Sequence, residues 1–270
     1  MLQKEIMKKD WKILILLDAC RYDMFKIAYK EFYPDLEVKK VISPSTYTCD
    51  WLVKTFPDFY DDVVYISANP YVNSTGARVG HEFRSWTKKE FNSFCGLEHF
   101  PIIADVWKNF DPNKYKGAVT PDKVNKAFHK YYLKYPKKRF ILHYMQPHRP
   151  YITTPTSISF TKKNHTPNWA RDTFSMVMNW KIKKLLLKRP SSYEEEMYSQ
   201  HGHHGLKLVY INEIKNVLSS VKHITDALNV NFVITSDHGE RLGEHWWHMS
   251  HGPGPRHKEV IEVPWLEISS

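Results

Sequence analysis

The feature that most constrains the fold is an apolar, β-branched run that begins at Phe232 and stops abruptly at Asp237-His238-Gly239. Such a run suits a strand that is buried on both faces of a sheet. In open α/β sheets, ligands bind just outside the carboxyl ends of the strands. A carboxylate and an imidazole at such an end, with His248 and His251 soon after, predict half of a divalent-metal site.

A second apolar run, Trp11 to Leu17, supplies the other half because it ends at Asp18. Further strand-like runs, Val63 to Ser67 and Phe140 to Met145, alternate with helical patterns, and the second of them leads to His148. This alternation predicts an α/β fold, a three-layer sandwich with a mostly parallel central sheet flanked by helices. No repeat or linker interrupts the pattern, so we expect residues 1–270 to form a single, compact catalytic domain.

Hydroxyl residues crowd the loop that precedes a predicted helix running towards Phe56. Ser45, Thr46 and Thr48 all lie there. Free N–H groups at a helix N-terminus suit a nucleophile that attacks an anionic ester. An ordinary helix cap is the competing explanation, and from local sequence alone it is the stronger one.

The composition limits the classes of binding partner that we expect but does not identify one. The formal net charge of +10 suits an anionic substrate, an anionic polymer or an acidic membrane surface. No block of Lys and Arg is interleaved with aromatic residues, so a specific nucleic-acid partner is not expected. The compact basic stretch Lys181 to Arg189 is typical of a solvated helix face, and the His201–His204 cluster is expected in a surface loop.

The three cysteines are odd in number and lack metal-like spacing, which favours reduced thiols. No apolar run reaches the length of a membrane span, and the first ten residues lack the apolar core of a secretory signal. These features predict a cytoplasmic protein without a transmembrane segment.

Taken together, several motifs resemble the alkaline phosphatase superfamily. They are Asp18 after an apolar strand, a threonine about thirty residues later, His-Tyr-Met-Gln-Pro-His-Arg-Pro-Tyr at 143–151, Ser-Asp-His-Gly-Glu at 236–240, the late His251-Gly252, and Glu-Val-Pro-Trp-Leu-Glu-Ile at 262–268. Within it, the chain is most similar to the sulfatase-like branch, which includes sulfatases and phosphoethanolamine transferases. The resemblance runs from about Ile13 to Ile268, although residues 69–135 and 152–204 match little.

The resemblance implies roles for individual positions. A metal that activates the nucleophile would be held by Asp18, Asp237, His238 and Thr48. Thr48 matches the nucleophile, with Ser45 and Thr46 as alternatives. Positions that hold a second metal or contact the leaving group are matched by His148 and His251. Anion binding falls to Arg21 and Arg149, with His148 also facing the substrate, whereas Glu240 and Glu244 would brace the loop.

Two departures from sulfatases bear on the chemistry. Cys49-Asp50-Trp51-Leu52 lacks the Pro, Ser and Arg of the formylglycine signature, and Ala19 stands where many sulfatases have another metal-binding Asp. Both favour an unmodified threonine nucleophile and phosphorus chemistry. The expected function is a hydrolase or transferase that acts on phosphate or sulfate esters and uses one or two divalent ions, Zn²⁺ or Mn²⁺.

The alternative is a catalytically inactive sulfatase-fold protein that binds an anionic ligand or partner. Compared with larger members of that family, we expect a compact version without a large C-terminal subdomain. A site with fewer walls would be open to a large anionic substrate, or would be completed by a partner chain such as a second copy in a homo-oligomer.

Overall fold

The computed structural model of the protein describes residues 3–80, 93–110, 118–153, 193–245 and 248–270. Nine strands lie in this part of the chain: β1 Ile13–Leu17, β2 Lys39–Ile42, β3 Val63–Ser67, β4 Ile102–Asp105, β5 Arg139–Tyr144, β6 Phe232–Ser236, β7 Leu242–His245, β8 His248–Met249 and β9 Glu262–Ile268. Five α-helices accompany them: α1 Tyr22–Ala28, α2 Thr48–Thr55, α3 Pro121–Lys134, α4 Tyr193–Ala227 and α5 Lys258–Ile261. Short 3₁₀ helices lie at Gln3–Lys8, Tyr29–Glu31, Gly96–Glu98 and Val106–Asn109.

Seven strands form one sheet in the order β2-β9-β6-β1-β5-β3-β4. The pairs from β6 across to β4 are parallel, whereas β9 runs antiparallel to both of its neighbours, β6 and β2. The prediction of a mostly parallel sheet is therefore confirmed. The predicted last strand is present as β9, and its antiparallel direction was not foreseen.

Helices cover both faces of this sheet, as the three-layer prediction requires. Alternate β1 residues point to opposite sides: Ile13, Ile15 and Leu17 pack in one core cluster with residues of α1, α3 and α4. Leu14 and Leu16 pack in a second cluster beneath α2 and the N-terminal 3₁₀ helix. Every β1 residue is buried, which explains why the strand is a continuous apolar run.

Strand register aligns the carboxyl ends of the central strands. Leu17 pairs with both Tyr144 of β5 and Ser236 of β6. Asp18 and Asp237 are the next residues of β1 and β6, so they leave neighbouring strands at the same level. The sheet edge that the sequence predicted as the site is formed in this way.

Two local expectations need correction. The loose pattern of residues 69–113, broken by Gly76, Gly80 and Gly96, predicts loops and short helices, but β4 forms there and pairs with β3. The His201–His204 stretch was expected in a surface loop, yet it belongs to α4, whose helical geometry is interrupted at Gly202 with φ 66°. After Gly202 the chain is helical because Leu206, Tyr210 and Ile214 bury a face one turn apart against the core. Lys181 to Arg189 lies outside the described residues.

Candidate active site

Asp18, Asp237 and His238 form a compact cluster at the aligned strand ends. One ligand atom from each lies within 4.8 Å of the others, and all three side chains are buried. His238 Nε2 is 3.3 Å from Asp237 Oδ2 and 3.9 Å from Asp18 Oδ1. The structure thus brings together three of the residues that the sequence assigned to a metal.

The two carboxylates of this cluster are electrostatically unequal. Burial, and then the charge of Asp237, raise the pKa of Asp18 well above its ordinary value, although Asn69 donates a hydrogen bond to it. Burial acts in the same direction on Asp237, but His238, His143 and the Thr48 hydroxyl outweigh it and lower its pKa. Two buried carboxylates so close together repel each other when both are ionised.

The donor set fits a divalent cation. Asp18 Oδ1 is buried and has no hydrogen-bond partner among the described residues. A buried acceptor left without a partner costs free energy, and a cation shared with Asp237 would supply that partner and offset the repulsion. Two carboxylates, an imidazole and a hydroxyl are ligand types that Zn²⁺ and Mn²⁺ accept.

The hydroxyl of this set belongs to Thr48, the first residue of α2. Thr48 Oγ1 donates a hydrogen bond to Asp237 Oδ2 at 2.7 Å and lies 3.2 Å from His238 Nε2. The two alternative nucleophiles have other partners: Ser45 Oγ donates to Asp50 and Thr46 Oγ1 to the carbonyl of Gly252. Of the three hydroxyls, the geometry therefore favours Thr48.

Cys49 and Ala19, the two departures from sulfatases, have structural roles here. Cys49 is buried, its Sγ contacts the carbonyl of Val79, and burial raises its pKa to about 11. Ala19 adopts a left-handed conformation with φ 59°, and its N–H donates to Asp237 Oδ1 at 3.0 Å. At the position where many sulfatases have another metal-binding Asp, the backbone N–H of Ala19 therefore donates to the carboxylate of Asp237.

A second cluster adjoins the first and consists of His148, Glu240 and His251. His251 Nδ1 lies 2.9 Å from Glu240 Oε2, and the His251 ring centroid is 4.2 Å from that of His238. Desolvation lowers the pKa of His148 to about 3 and that of His251 to about 4, with nearby positive charge contributing to both. Neutral imidazoles and a carboxylate are suitable metal ligands.

Glu240 was expected only to brace the loop, and the structure places it among the candidate ligands. The available signal was its spacing, three residues after Asp237 in the same strand-end loop. His143 was missed altogether. It is completely buried on β5, contacts the Tyr65 hydroxyl through Nδ1 at 2.9 Å, and its Nε2 lies 3.8 Å from Asp18 Oδ2. As a strand-interior residue, it carried no sequence signal beyond being a polar residue in an apolar run.

The fold of this chain is similar to that of several known proteins. No family model and no curated protein sequence matches the chain. Solved structures do. The integral membrane lipooligosaccharide phosphoethanolamine transferase A of Neisseria meningitidis matches with a TM-score of 0.57 and 13% identity, over 96% of this chain and 48% of that one. The chain thus spans about half of that protein.

Two shorter structures match over most of both chains. The periplasmic domain of EptC from Escherichia coli, in complex with zinc, gives a TM-score of 0.52 at 14% identity, over 97% of this chain and 74% of that chain. The phosphonate monoester hydrolase of Agrobacterium radiobacter gives 0.54 at 12%, over 95% and 67%. The chain has the sulfatase-like fold of the alkaline phosphatase superfamily.

The structures that share this fold contradict the cytoplasmic prediction. The matching EptC domain is described as periplasmic and the matching transferase as an integral membrane protein. The prediction failed because unpaired cysteines and the absence of an apolar segment do not determine a compartment. None of the helices in the described residues is long and apolar enough to span a membrane.

The two arginines predicted to bind the anion, Arg21 and Arg149, have different surroundings in the structure. Arg21 is buried and makes four side-chain hydrogen bonds, to both carboxylate oxygens of Asp23, to Glu244 Oε1 and to the carbonyl of Glu240. Its guanidinium joins α1 to the 240–244 segment, and Glu244 also braces that segment by accepting the N–H of Leu242 at 2.8 Å. Arg149 is near the second cluster, since its charge acts on His148, Glu240 and His251.

Proposed function

We propose that the protein is a metal-dependent enzyme that hydrolyses or transfers a phosphoryl-type group through Thr48. The observation that carries the proposal is the position of Thr48 Oγ1, 2.7 Å from Asp237 Oδ2 and 3.2 Å from His238 Nε2, within the group that also contains Asp18. The residues come from three separate segments, and each contributes a donor atom to one small volume.

The structural relatives support this class of reaction. One is described as a phosphoethanolamine transferase and another as a phosphonate monoester hydrolase, and both names denote group transfer or hydrolysis at phosphorus. Their identity to this chain is 12–14%, so they support the fold and the broad chemistry, and the substrate is inferred from the site.

Asp18, Asp237, His238 and Thr48 would hold the first cation, and His148, Glu240 and His251 would hold a second. A bound divalent ion would lower the pKa of the Thr48 hydroxyl and offset charge on the non-bridging oxygens of the ester. Zn²⁺ and Mn²⁺ are the proposed ions because both ligand sets mix nitrogen and oxygen.

Each step of the proposed reaction is assigned to particular residues of the chain. Thr48 Oγ1, its proton released to solvent, forms a bond to phosphorus as the bond from phosphorus to the leaving oxygen breaks. The leaving oxygen departs towards His148 and His251. Water or an acceptor alcohol then attacks phosphorus, releasing the Thr48 oxygen and completing hydrolysis or transfer.

We further propose that residues 1–270 act as one catalytic unit. Strands from near both ends of the chain, β1 and β9, belong to the same sheet. Near the N-terminus, Gln3 donates to Thr235 Oγ1 of β6 and accepts from the indole of Trp51 on α2, so it joins the two elements next to Asp237 and Thr48.

The decisive experiment combines elemental analysis of the purified protein with turnover of aryl phosphate monoesters, phosphodiesters and sulfate esters in the presence of Zn²⁺ or Mn²⁺. We expect one or two metal equivalents and turnover of at least one phosphorus ester. Turnover of sulfate esters alone would indicate that the protein is a sulfatase and does not act on phosphorus esters. Absence of both metal binding and turnover would contradict the proposal.

A further inference from the structure

Arg241 is a buried arginine beside the second cluster that neither the motif nor the mechanism uses. It follows Glu240 directly and is 5% exposed. Its Nε donates to the carbonyl of Ser250 at 2.7 Å, and the N–H of Ser250 donates back to the Arg241 carbonyl at 3.1 Å. Ser250 has φ 78°, a conformation that costs a non-glycine residue free energy. This reciprocal pair fixes the side chain next to His251.

The guanidinium is incompletely satisfied in this position. Nη1 is buried and has no hydrogen-bond partner in the described part of the chain. The neighbouring Glu240 does not supply one, because its Oε1 accepts the backbone N–H of Arg241 and its Oε2 contacts His251. A buried cationic donor without an acceptor is costly, and such groups in native proteins call for a specific explanation.

Arg241 lies beside the second cluster, because it follows Glu240 in the chain and its Nε donates to Ser250, the residue before His251. Its charge and that of Arg149 both act on His251, and both act on Glu240. In the proposed reaction this cluster receives the leaving oxygen. An anion at Arg241 would therefore belong to the part of the substrate that departs, while Asp18, Asp237 and His238 serve the group that is transferred.

We propose that Arg241 is a specificity residue that binds an anionic group, a phosphate or a carboxylate, on the leaving portion of the substrate. The inference rests on the proposed function, since it assumes that esters react at Thr48. A guanidinium presents a planar fork of donors that matches the oxygens of phosphate and carboxylate. Its buried position restricts that recognition to a group that reaches the second cluster.

The test compares two phosphodiesters that differ in leaving group: methyl 4-carboxyphenyl phosphate, which carries an anion, and methyl 4-carbamoylphenyl phosphate, which is neutral there. We expect the unaltered protein to favour the anionic substrate in kcat/KM by roughly tenfold or more, as one charged hydrogen bond implies. Arg241→Gln should abolish that ratio while retaining turnover of the neutral substrate. Arg241→Lys, which keeps the charge and loses the fork, should retain part of it.

Arg78→Gln is the matched control, because Arg78 is an exposed arginine that is paired with Glu98. It should leave the substrate ratio unchanged. An equal loss on both substrates in Arg241→Gln, or an unchanged ratio in both Arg241 variants, would overturn the proposal. Thermal unfolding checks that each variant is folded. If Arg241→Gln does not fold, Arg241→Lys still tests the proposal.

Binding of inorganic phosphate, measured by titration calorimetry, separates this inference from the proposed function. If the protein binds no metal and turns over no phosphorus or sulfate ester, the proposed function fails, and phosphate binding still tests Arg241. We expect phosphate to bind the unaltered protein and to bind Arg241→Gln at least about tenfold more weakly. Equal binding to the two proteins, or no binding to either, would refute a role for Arg241 in holding an anion.

Discussion

The hydroxyl of Thr48 donates a hydrogen bond to Asp237 Oδ2 at 2.7 Å, joining residues 189 positions apart in the chain. Thr48 is the first residue of α2, and Asp237 is the first residue after β6. The contact therefore links a helix on one face of the sheet to the end of a central strand. It places the proposed nucleophile against Asp237, whose pKa is lowered by His238, His143 and the Thr48 hydroxyl, whereas burial raises the pKa of Asp18.

Replacing Thr48 by valine removes the hydroxyl and preserves the shape of the side chain. We expect turnover to fall by roughly a thousandfold or more, since no other group takes over the attack. Bound metal, measured by elemental analysis, should remain. Thr48→Ser keeps a hydroxyl and should retain measurable activity; unchanged turnover in Thr48→Val would redirect attention to Ser45 and Thr46.

Asp18→Asn should separate metal binding from stability. In metal-free protein the substitution removes one of two repelling buried carboxylates, so the free energy of unfolding should rise by about 1 kcal/mol. Metal binding should be lost. Denaturant unfolding and metal titration measure the two effects. A variant that retains its metal would exclude Asp18 as a ligand.

Asp62→Asn is the matched comparison for that prediction. The carboxylate of Asp62 pairs with Arg139, and this pairing lowers its pKa. Here the lost charge was a favourable one, so stability should fall slightly while metal binding is unchanged. Opposite signs for the two variants would distinguish repulsion at the site from a general effect of removing an aspartate.

Acidification should destabilise metal-free protein through its buried histidines. Burial lowers the pKa of His143 from 6.5 to about 4, so between these values the unfolded state binds more protons than the folded state. Stability is therefore complete above about pH 6.5 and is lost as pH falls towards 4, by up to about 3 kcal/mol for this group.

Guanidinium chloride unfolding at pH 7 and pH 4.5 measures this loss. His143→Gln should reduce the difference between the two pH values, whereas His129→Gln, which changes an exposed residue of α3, should not. If His143→Gln preserves the full pH dependence, the acid sensitivity arises elsewhere, with His148 and His251 as the next residues to change.

Tyr210 on α4 is expected to position the metal site from the helix layer. Its hydroxyl donates to the carbonyl of Ala19 and accepts the N–H of Arg21, so it spans the turn that follows Asp18. Tyr210→Phe would leave two buried backbone groups without partners, which costs about 1–3 kcal/mol of stability. Because Ala19 donates to Asp237, metal affinity should fall as well.

Tyr33→Phe controls for the loss of a hydroxyl. Tyr33 contacts Thr225 and makes no contact with the site residues among the described bonds. Both variants should lose stability in thermal unfolding, but only Tyr210→Phe should weaken metal binding in calorimetric titration. Equal metal affinity in the two variants would assign Tyr210 a purely structural role.

The sequence by itself determined the sheet and the positions where chemistry lies. Strands buried on both faces must be continuous apolar runs, so β1, β5 and β6 were recognisable, and the polar residues that end β1 and β6 stand out. Asp18, Asp237 and His238 were predictable for this reason. Thr48 was singled out by resemblance, because locally a serine or threonine before a helix is an ordinary cap.

Tertiary structure alone decided which side chains share a volume. Glu240 and Arg21 both follow strand ends, yet Glu240 lies among the candidate ligands and Arg21 lies between carboxylates. The directions of these two side chains depend on how α1 and the 240–244 segment pack. His143 and Arg241, whose buried Nη1 lacks a partner in the described residues, acquire significance only through burial, which is a property of the assembled layers. Local patterns encode burial along one element, whereas the distances between elements follow from packing the whole chain.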